Sequence, residues 1–205
     1  MRNNPILLII LLSMNLVPGK IIAQEWKLAK EKDGIKVYTR QEQESNFKSF
    51  KGETDVRADM AMVSAMIEDV EKFDEWDEDV SEIRILAQEP GKTLKYYVVY
   101  DIPWPFQDRD LCVEATISDD HDTGYKLIRS VSATEAVPLK EGTVRIVSYW
   151  QNWTIQPKEN GLVHLILEGF ADPAGDIPAW IANIAITNTP LNILKAIRDK
   201  FREVK

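Results

Sequence analysis

Alternation with a period of two dominates the second half of the chain, and it restricts the fold more than any other feature. In the run Leu94 to Asp101 the even positions are Leu94, Tyr96, Val98 and Tyr100, whereas the odd ones include Lys95 and Asp101. Successive side chains of an extended strand leave opposite faces of a sheet, so this pattern predicts one apolar face and one face toward water. Leu111, Val113, Ala115 and Ile117 alternate with Cys112, Glu114 and Thr116 in the same sense. Further strands are predicted at Tyr125 to Ser132, Thr143 to Ile155 and Leu162 to Ala171, separated by turn clusters such as Pro157 to Gly161. Strands that follow one another with short connections imply a sequential antiparallel meander.

Shorter strands are predicted upstream at Trp26 to Ala29, at Ile35 to Arg40 after the Asp33-Gly34 turn, and at Phe47 to Arg57. From Asp59 the period changes, with Met60, Val63, Ile67 and Val70 at three- and four-residue steps and Asp59 placed to cap the first turn. That is one helix, ending near Val70. Glu71 to Asp79 carries six acids around Phe73 and Trp76; without the spaced ligands and central glycine of an EF-hand it reads as solvated acids around a buried aromatic. Asp119, Asp120 and Asp122 read as a hairpin turn closed by Gly124. After Pro178 the chain turns helical, with Ile181, Ile184, Asn188, Leu191, Leu194 and Phe201 near one face. Pro190 lies inside this run and predicts a kink or break around Asn188, because proline lacks an amide donor and clashes with the preceding turn. A long antiparallel sheet followed by one long amphipathic helix is an α+β arrangement.

The formal charge of −8 repels a polyanion, so nucleic acid is not an expected partner. Cys112 is the sole cysteine, which excludes an internal disulfide, and with only His121 and His164 a Cys/His zinc site lacks ligands; no metal and no cofactor are expected. Arg2, the apolar run Ile6 to Leu12 and the Pro18-Gly19 break read as a secretory signal spanning 1–23, cleaved after Ala23. The run is shorter than the ~20 apolar residues of a spanning helix. The mature domain, 24–205, loses Arg2 and Lys20 and is therefore more acidic still. It is expected outside the cytoplasm, secreted or periplasmic, as a monomer.

DIPWPFQDRD at 101–110 stands in order with DGIKVYTR at 33–40, FKGE at 50–53, DEWDEDV at 74–80, GTVRI at 142–146, NWTIQP at 152–157 and DPAGDIPAWIAN at 172–183. In these pieces nearly all of the mature chain resembles the START family, the lipid-transfer domains related to the steroidogenic acute regulatory protein. The resemblance implies a helix-grip fold, a curved antiparallel sheet wrapped around the C-terminal helix. It also implies a tunnel between the two for a single hydrophobic ligand, a lipid or sterol-like molecule carried or sensed, and a gate at the loop 133–142. Ligand contacts are then expected from Tyr96, Val98, Tyr100 and Leu111, from Tyr149, Gln151, Leu165 and Leu167, and from Ile184, Asn188 and Leu191.

Positions that align with the family's buried acid and arginine read Tyr96 and Ala115, and those of the choline-binding cage read Val98, Leu111 and Phe73. A lipid less polar than a choline phospholipid is implied. Arg129 and Arg145 occupy strand positions whose parity can point them inward, where a guanidinium needs an acid or a ligand oxygen; each is a candidate anchor, with a structural ion pair as the alternative. Trp104, Trp153 and Trp180 read as core pieces. The competing function is an enzyme on the same scaffold, a cyclase or hydrolase of a polycyclic or lipid substrate with Tyr149, Tyr100 and Arg129 as donors. No nucleophile-base pair supports it, so a non-enzymatic carrier is the leading expectation. Transient membrane contact is expected at the cationic end of the last helix, Lys195 to Arg202.

Overall fold

The computed structural model describes residues 25–75 and 77–203; the signal expected at 1–23 lies outside them. Strands β1 (Lys27–Lys32), β2 (Ile35–Gln41) and β3 (Lys48–Arg57) lead into helix α1 (Met60–Glu68) and a 3-10 turn at Val70–Glu75. There follow β4 (Val80–Glu89), β5 (Thr93–Tyr100), β6 (Asp108–Asp120), β7 (Tyr125–Ser132), β8 (Thr143–Arg145), β9 (Ser148–Lys158), β10 (Leu162–Asp172) and α2 (Ala179–Glu203). The strands form one sheet in the order β1-β2-β3-β10-β9-β7-β6-β5-β4, with β8 beside β6. All pairs are antiparallel except β6 with β8. This curved sheet with its C-terminal helix is the helix-grip fold.

Three expectations need correction here. Strand β4 was not foreseen, because Val80–Glu89 spreads its apolar residues without clean alternation and pairs with β5 through two bulges. Nor is the sheet a plain meander. Asp59, whose side chain accepts from the Ala61 amide at 2.7 Å, starts α1 and sends the chain across to the far edge, so the last strand closes beside β3 with Leu167 opposite Gly52. The predicted strand Thr143 to Ile155 is broken at Ile146-Val147: β8 runs with β6, the Ile146 amide donating to the Asp110 carbonyl at 2.9 Å, before β9 joins β7 and β10.

The inner face carries one core, including Leu111, Val113, Ala115, Leu165, Leu167 and, from α2, Leu191, Leu194 and Ile197. The outer face is not wholly wet. Tyr97, Val99 and Cys112 are buried there under Ala133 and Val137 of the 133–142 loop. Arg145 clamps that loop, donating to the carbonyls of Thr134, Val137 and Pro138 at 2.9, 3.2 and 3.1 Å while holding Asp110 through Nε and Nη2 at 2.9 and 2.7 Å. The loop therefore lies on the side of the sheet away from α2, which corrects its expected place as a gate beside the helix.

Helix α2, 25 residues or about 37 Å long, runs unbroken through Pro190. Its two halves differ. Leu191 to Arg198 sit against β3 and β2, whereas Trp180 and Ile184 are exposed. Contact is closest at Gly52, where a Cβ would lie 2.8 Å from Leu194 Cδ1 and 3.2 Å from Pro190 Cβ. The first half is tied at the rim, with the Lys48 amide donating to Asn183 Oδ1 at 3.1 Å and Lys30 Nζ to Asn188 Oδ1 at 2.9 Å.

Candidate ligand site

The inner face of β5, β6, β7 and β9 is roofed by α1 and the 3-10 turn, and the space between them narrows to about 20 Å³. That is room for about one water molecule. Side chains crowd its margins. Phe73, from the turn, sets its ring edge-on to Tyr96 at 5.8 Å and 84°, with Ile67 and Val70 beside it and Leu94, Ile128 and Trp153 opposite. Among the described residues this space is far smaller than the tunnel the resemblance implies, because aromatic and branched side chains of the roof reach down between those of the sheet.

The polar groups within this apolar interior are gathered rather than scattered. Residues i and i+2 of one strand share a face, so β9 presents Tyr149 and Gln151 inward together, and the Tyr149 hydroxyl donates to Gln151 Oε1 at 3.2 Å. Tyr96 of β5 shares a further hydrogen bond with Tyr149, and Tyr100 lies two inward positions farther along β5, beyond Val98. Burial holds the hydroxyls of Tyr96, Tyr100 and Tyr149 well above the ordinary phenol range. They remain neutral across physiological pH, as donors and acceptors rather than proton-transfer groups.

Asp77, just beyond the 3-10 turn, is close enough to Tyr100 and Tyr149 to reinforce that shift. Its own carboxyl is pushed up to about 6, chiefly by burial and then by the charge of Asp79. Between about pH 4 and 6 the unfolded chain has released this proton and the folded chain retains it, so this group's contribution to stability falls as pH rises through that window and levels off above it. Asp55, Asp120 and Asp199, with lowered values, act in the opposite sense. The difference between wild type and Asp77→Asn, read from urea midpoints at pH 4 to 7, should therefore grow in favour of the variant up to about pH 6. A constant difference would contradict the assignment.

The expected contact residues divide sharply. Tyr96, Val98, Leu111, Leu165, Leu167 and Leu191 are buried in the inner core, and Tyr100 and Tyr149 pack against it; Gln151 lines the small cavity. Arg129 is exposed between the inward-facing Ile128 and Ser130, so its inward reading is corrected. Arg145 is buried but on the outer face, paired with Asp110, and takes the structural role that stood as its alternative. Ile184 is 54% exposed and Asn188 is held by Lys30 at the rim, so neither reaches the interior. Of the tryptophans, Trp153 is a core residue, whereas Trp104 and Trp180 are 92% and 67% exposed.

Sequence reasoning passed over Asp77, hidden among six acids of which the others look alike, and the roof contacts of Ile67 and Phe73. The spacing of Ile67, Val70 and Phe73 in threes was the available signal. Arg109 ties two segments near the exposed tryptophans, donating from Nε to the Pro173 carbonyl at 2.7 Å and from Nη2 to that of Ala174 at 3.0 Å, and also bonding Gln107.

A sheet gripping a terminal helix around an apolar interior with a neutral polar cluster defines a class of small-molecule-binding domains. Residues 21–205 match the START domain profile, and the chain belongs to that family. It is 35% identical over 183 residues to an uncharacterized protein of Pseudomonas aeruginosa, covering 89% of both chains. It is 28% identical over 180 residues to the phosphatidylcholine transfer protein of Bos taurus, covering 83% of this chain and 81% of that one. Among solved structures, a STAR-related lipid transfer protein from Xanthomonas axonopodis (fragment 25–204) shares 32% identity with a TM-score of 0.80, covering 86% of this chain and 98% of that one.

Proposed function

We propose that this chain is a non-enzymatic carrier or sensor that shelters one lipid between the sheet and the roof formed by α1, the 3-10 turn and the first half of α2. The observation that carries this reading is the neutral cluster Tyr96, Tyr149 and Gln151 inside an otherwise apolar interior. Such a cluster suits an uncharged oxygen, a sterol-like hydroxyl or an ester carbonyl, better than a charged head group. The high pKa values of its phenols disfavour the alternative of acid-base catalysis.

A lipid needs several hundred Å³, so uptake requires the roof to move. The first half of α2 is the element suited to it. Its outward face is exposed, Asn183 and Asn188 tie it at the rim through three hydrogen bonds, and Pro190 supplies no amide to the helix ladder at the junction with the buried half. Trp104, Trp180 and Ile184 then provide the membrane contact during exchange, because indole rings favour the lipid-water interface. The cationic end of α2 suits this less: Lys195 pairs with Asp199, Lys200 with Glu75, and Arg198 is buried. No described helix is long and apolar enough to span a membrane. With 1–23 as a secretory leader, the carrier works outside the cytoplasm as a monomer.

Native mass spectrometry of residues 24–205, purified and then exposed to mixed lipid vesicles, should show one lipid-sized mass addition, weakened about three- to tenfold by Tyr149→Phe as one neutral hydrogen bond is lost. A protein that stays ligand-free in both preparation and exposure would overturn the reading.

A further inference from the structure

On the outer face of the sheet, away from the ligand interior, a groove of about 460 Å³ lies between the loop 42–47, the start of β9 and the end of β10. We propose that this groove is a second binding site, for an alkylated ammonium cation.

Aromatic rings and carboxylates converge there. Trp150 and Phe170 are paired across the β9-β10 ladder and line the groove together with Phe47. The rim is acidic, made by Glu42, Glu44 and Asp172, and no lysine or arginine lines the groove. Arg40 pairs with Glu42 at 3.0 Å, but Glu44 and Asp172 make no ion pair among the described residues. The Ala174 amide occupies one oxygen of Asp172 at 2.9 Å, which orients the carboxylate without neutralising it.

The wall is also held in place. Gln41 Nε2 donates to the carbonyls of Ser45 and Phe47 at 2.6 and 3.1 Å, and the Phe47 amide donates to Ser45 Oγ at 3.1 Å, so the loop is braced before any ligand arrives. Preorganisation of this kind lowers the entropy lost on binding.

The combination selects one chemistry. An alkali ion prefers a closed oxygen shell, which aromatic walls do not supply. An anion is repelled by the rim and by a chain of charge −8. An uncharged lipid leaves the carboxylates uncompensated. A methylated ammonium places its methyl groups on ring faces, where the ring quadrupole attracts the charge, and adds the long-range attraction of the two unpaired carboxylates. Such a cation has two sources, a soluble small molecule or a choline-type lipid head group.

Titration of the full mature chain with tetramethylammonium chloride, against sodium chloride at equal ionic strength, tests the site through the indole N–H resonance of Trp150, assigned by its loss in Trp150→Phe. A saturable shift with the organic cation alone is expected. Glu44→Gln combined with Asp172→Asn should weaken it about tenfold, at the ~0.7 kcal/mol per carboxylate of an exposed charge pair, and Glu44→Gln alone, in an exposed loop, should weaken it about threefold if the double variant does not fold. The absence of a shift beyond the sodium control, or titrations unchanged in both variants, overturns the proposal. Sedimentation with phosphatidylcholine vesicles, lost in the same variants, assigns the source to head groups; saturation by the soluble cation without such sedimentation assigns it to a free solute.

Discussion

Asp110→Ala is expected to lower the stability of the domain by about 3–5 kcal/mol, the usual cost of leaving one partner of a buried ion pair behind. Asp110 is fully buried and Arg145 nearly so. The carboxylate accepts both guanidinium bonds and, at 3.1 Å, the hydroxyl of Tyr97. Removing it strands a positive charge beneath the sheet with only the three loop carbonyls for compensation. The damage should also spread to the 133–142 loop, whose seat depends on Arg145, and amide exchange at Ala133, bonded to the Cys112 carbonyl at 2.8 Å, should accelerate. Urea unfolding at constant slope measures the loss. Asp110→Ala combined with Arg145→Met should recover much of it, since a pair replaced by apolar groups is commonly neutral. A loss below about 1 kcal/mol in the single variant would contradict a buried ion pair.

Gly52→Val should be the most damaging change at the helix-sheet contact. The absent side chain is what lets α2 approach, since a Cβ there meets Leu194 Cδ1 at 2.8 Å and Pro190 Cβ at 3.2 Å. The backbone at Gly52 is in β3, so the constraint is space rather than conformation. Overpacking of this kind costs about 1–3 kcal/mol. Its functional effect should exceed its effect on stability. Pro190 and Leu194 stand where the exposed half of α2 meets the buried half, and pushing them away from β3 loosens the roof over the interior. We expect the folded variant to bind an environment-sensitive apolar dye that wild type excludes, and to lose preloaded lipid several-fold faster. Retention equal to that of wild type would show that the helix does not govern access.

Much of the architecture was legible from period alone. Strands β5, β6 and β7 declare themselves because side chains of a strand alternate, and the residues expected to face inward along β5 and β6 do so. Asp59 marked the start of α1 because free amides at a helix start need a side-chain acceptor. Strand β4 escaped because bulges break the alternation on which the reading depends. The candidate site was legible in part. Tyr96 follows from parity and Tyr149 and Gln151 from the family resemblance, whereas Asp77 lies just beyond the 3-10 turn, where no period places it.

By its own pattern the sequence determined most of the strands and the terminal helix, because each of these is written in residues close together along the chain, and its short motifs carried the resemblance to the family. Tertiary structure alone decided that Arg145 serves Asp110 rather than a ligand, that Arg129 and Ile184 face water, and that Phe73 and Ile67 narrow the space above β5, β6, β7 and β9. Those outcomes depend on which distant segment arrives opposite a given face. Strand parity states that a side chain points to one side of the sheet, but only the placement of α1, the 133–142 loop and α2 determines what waits there.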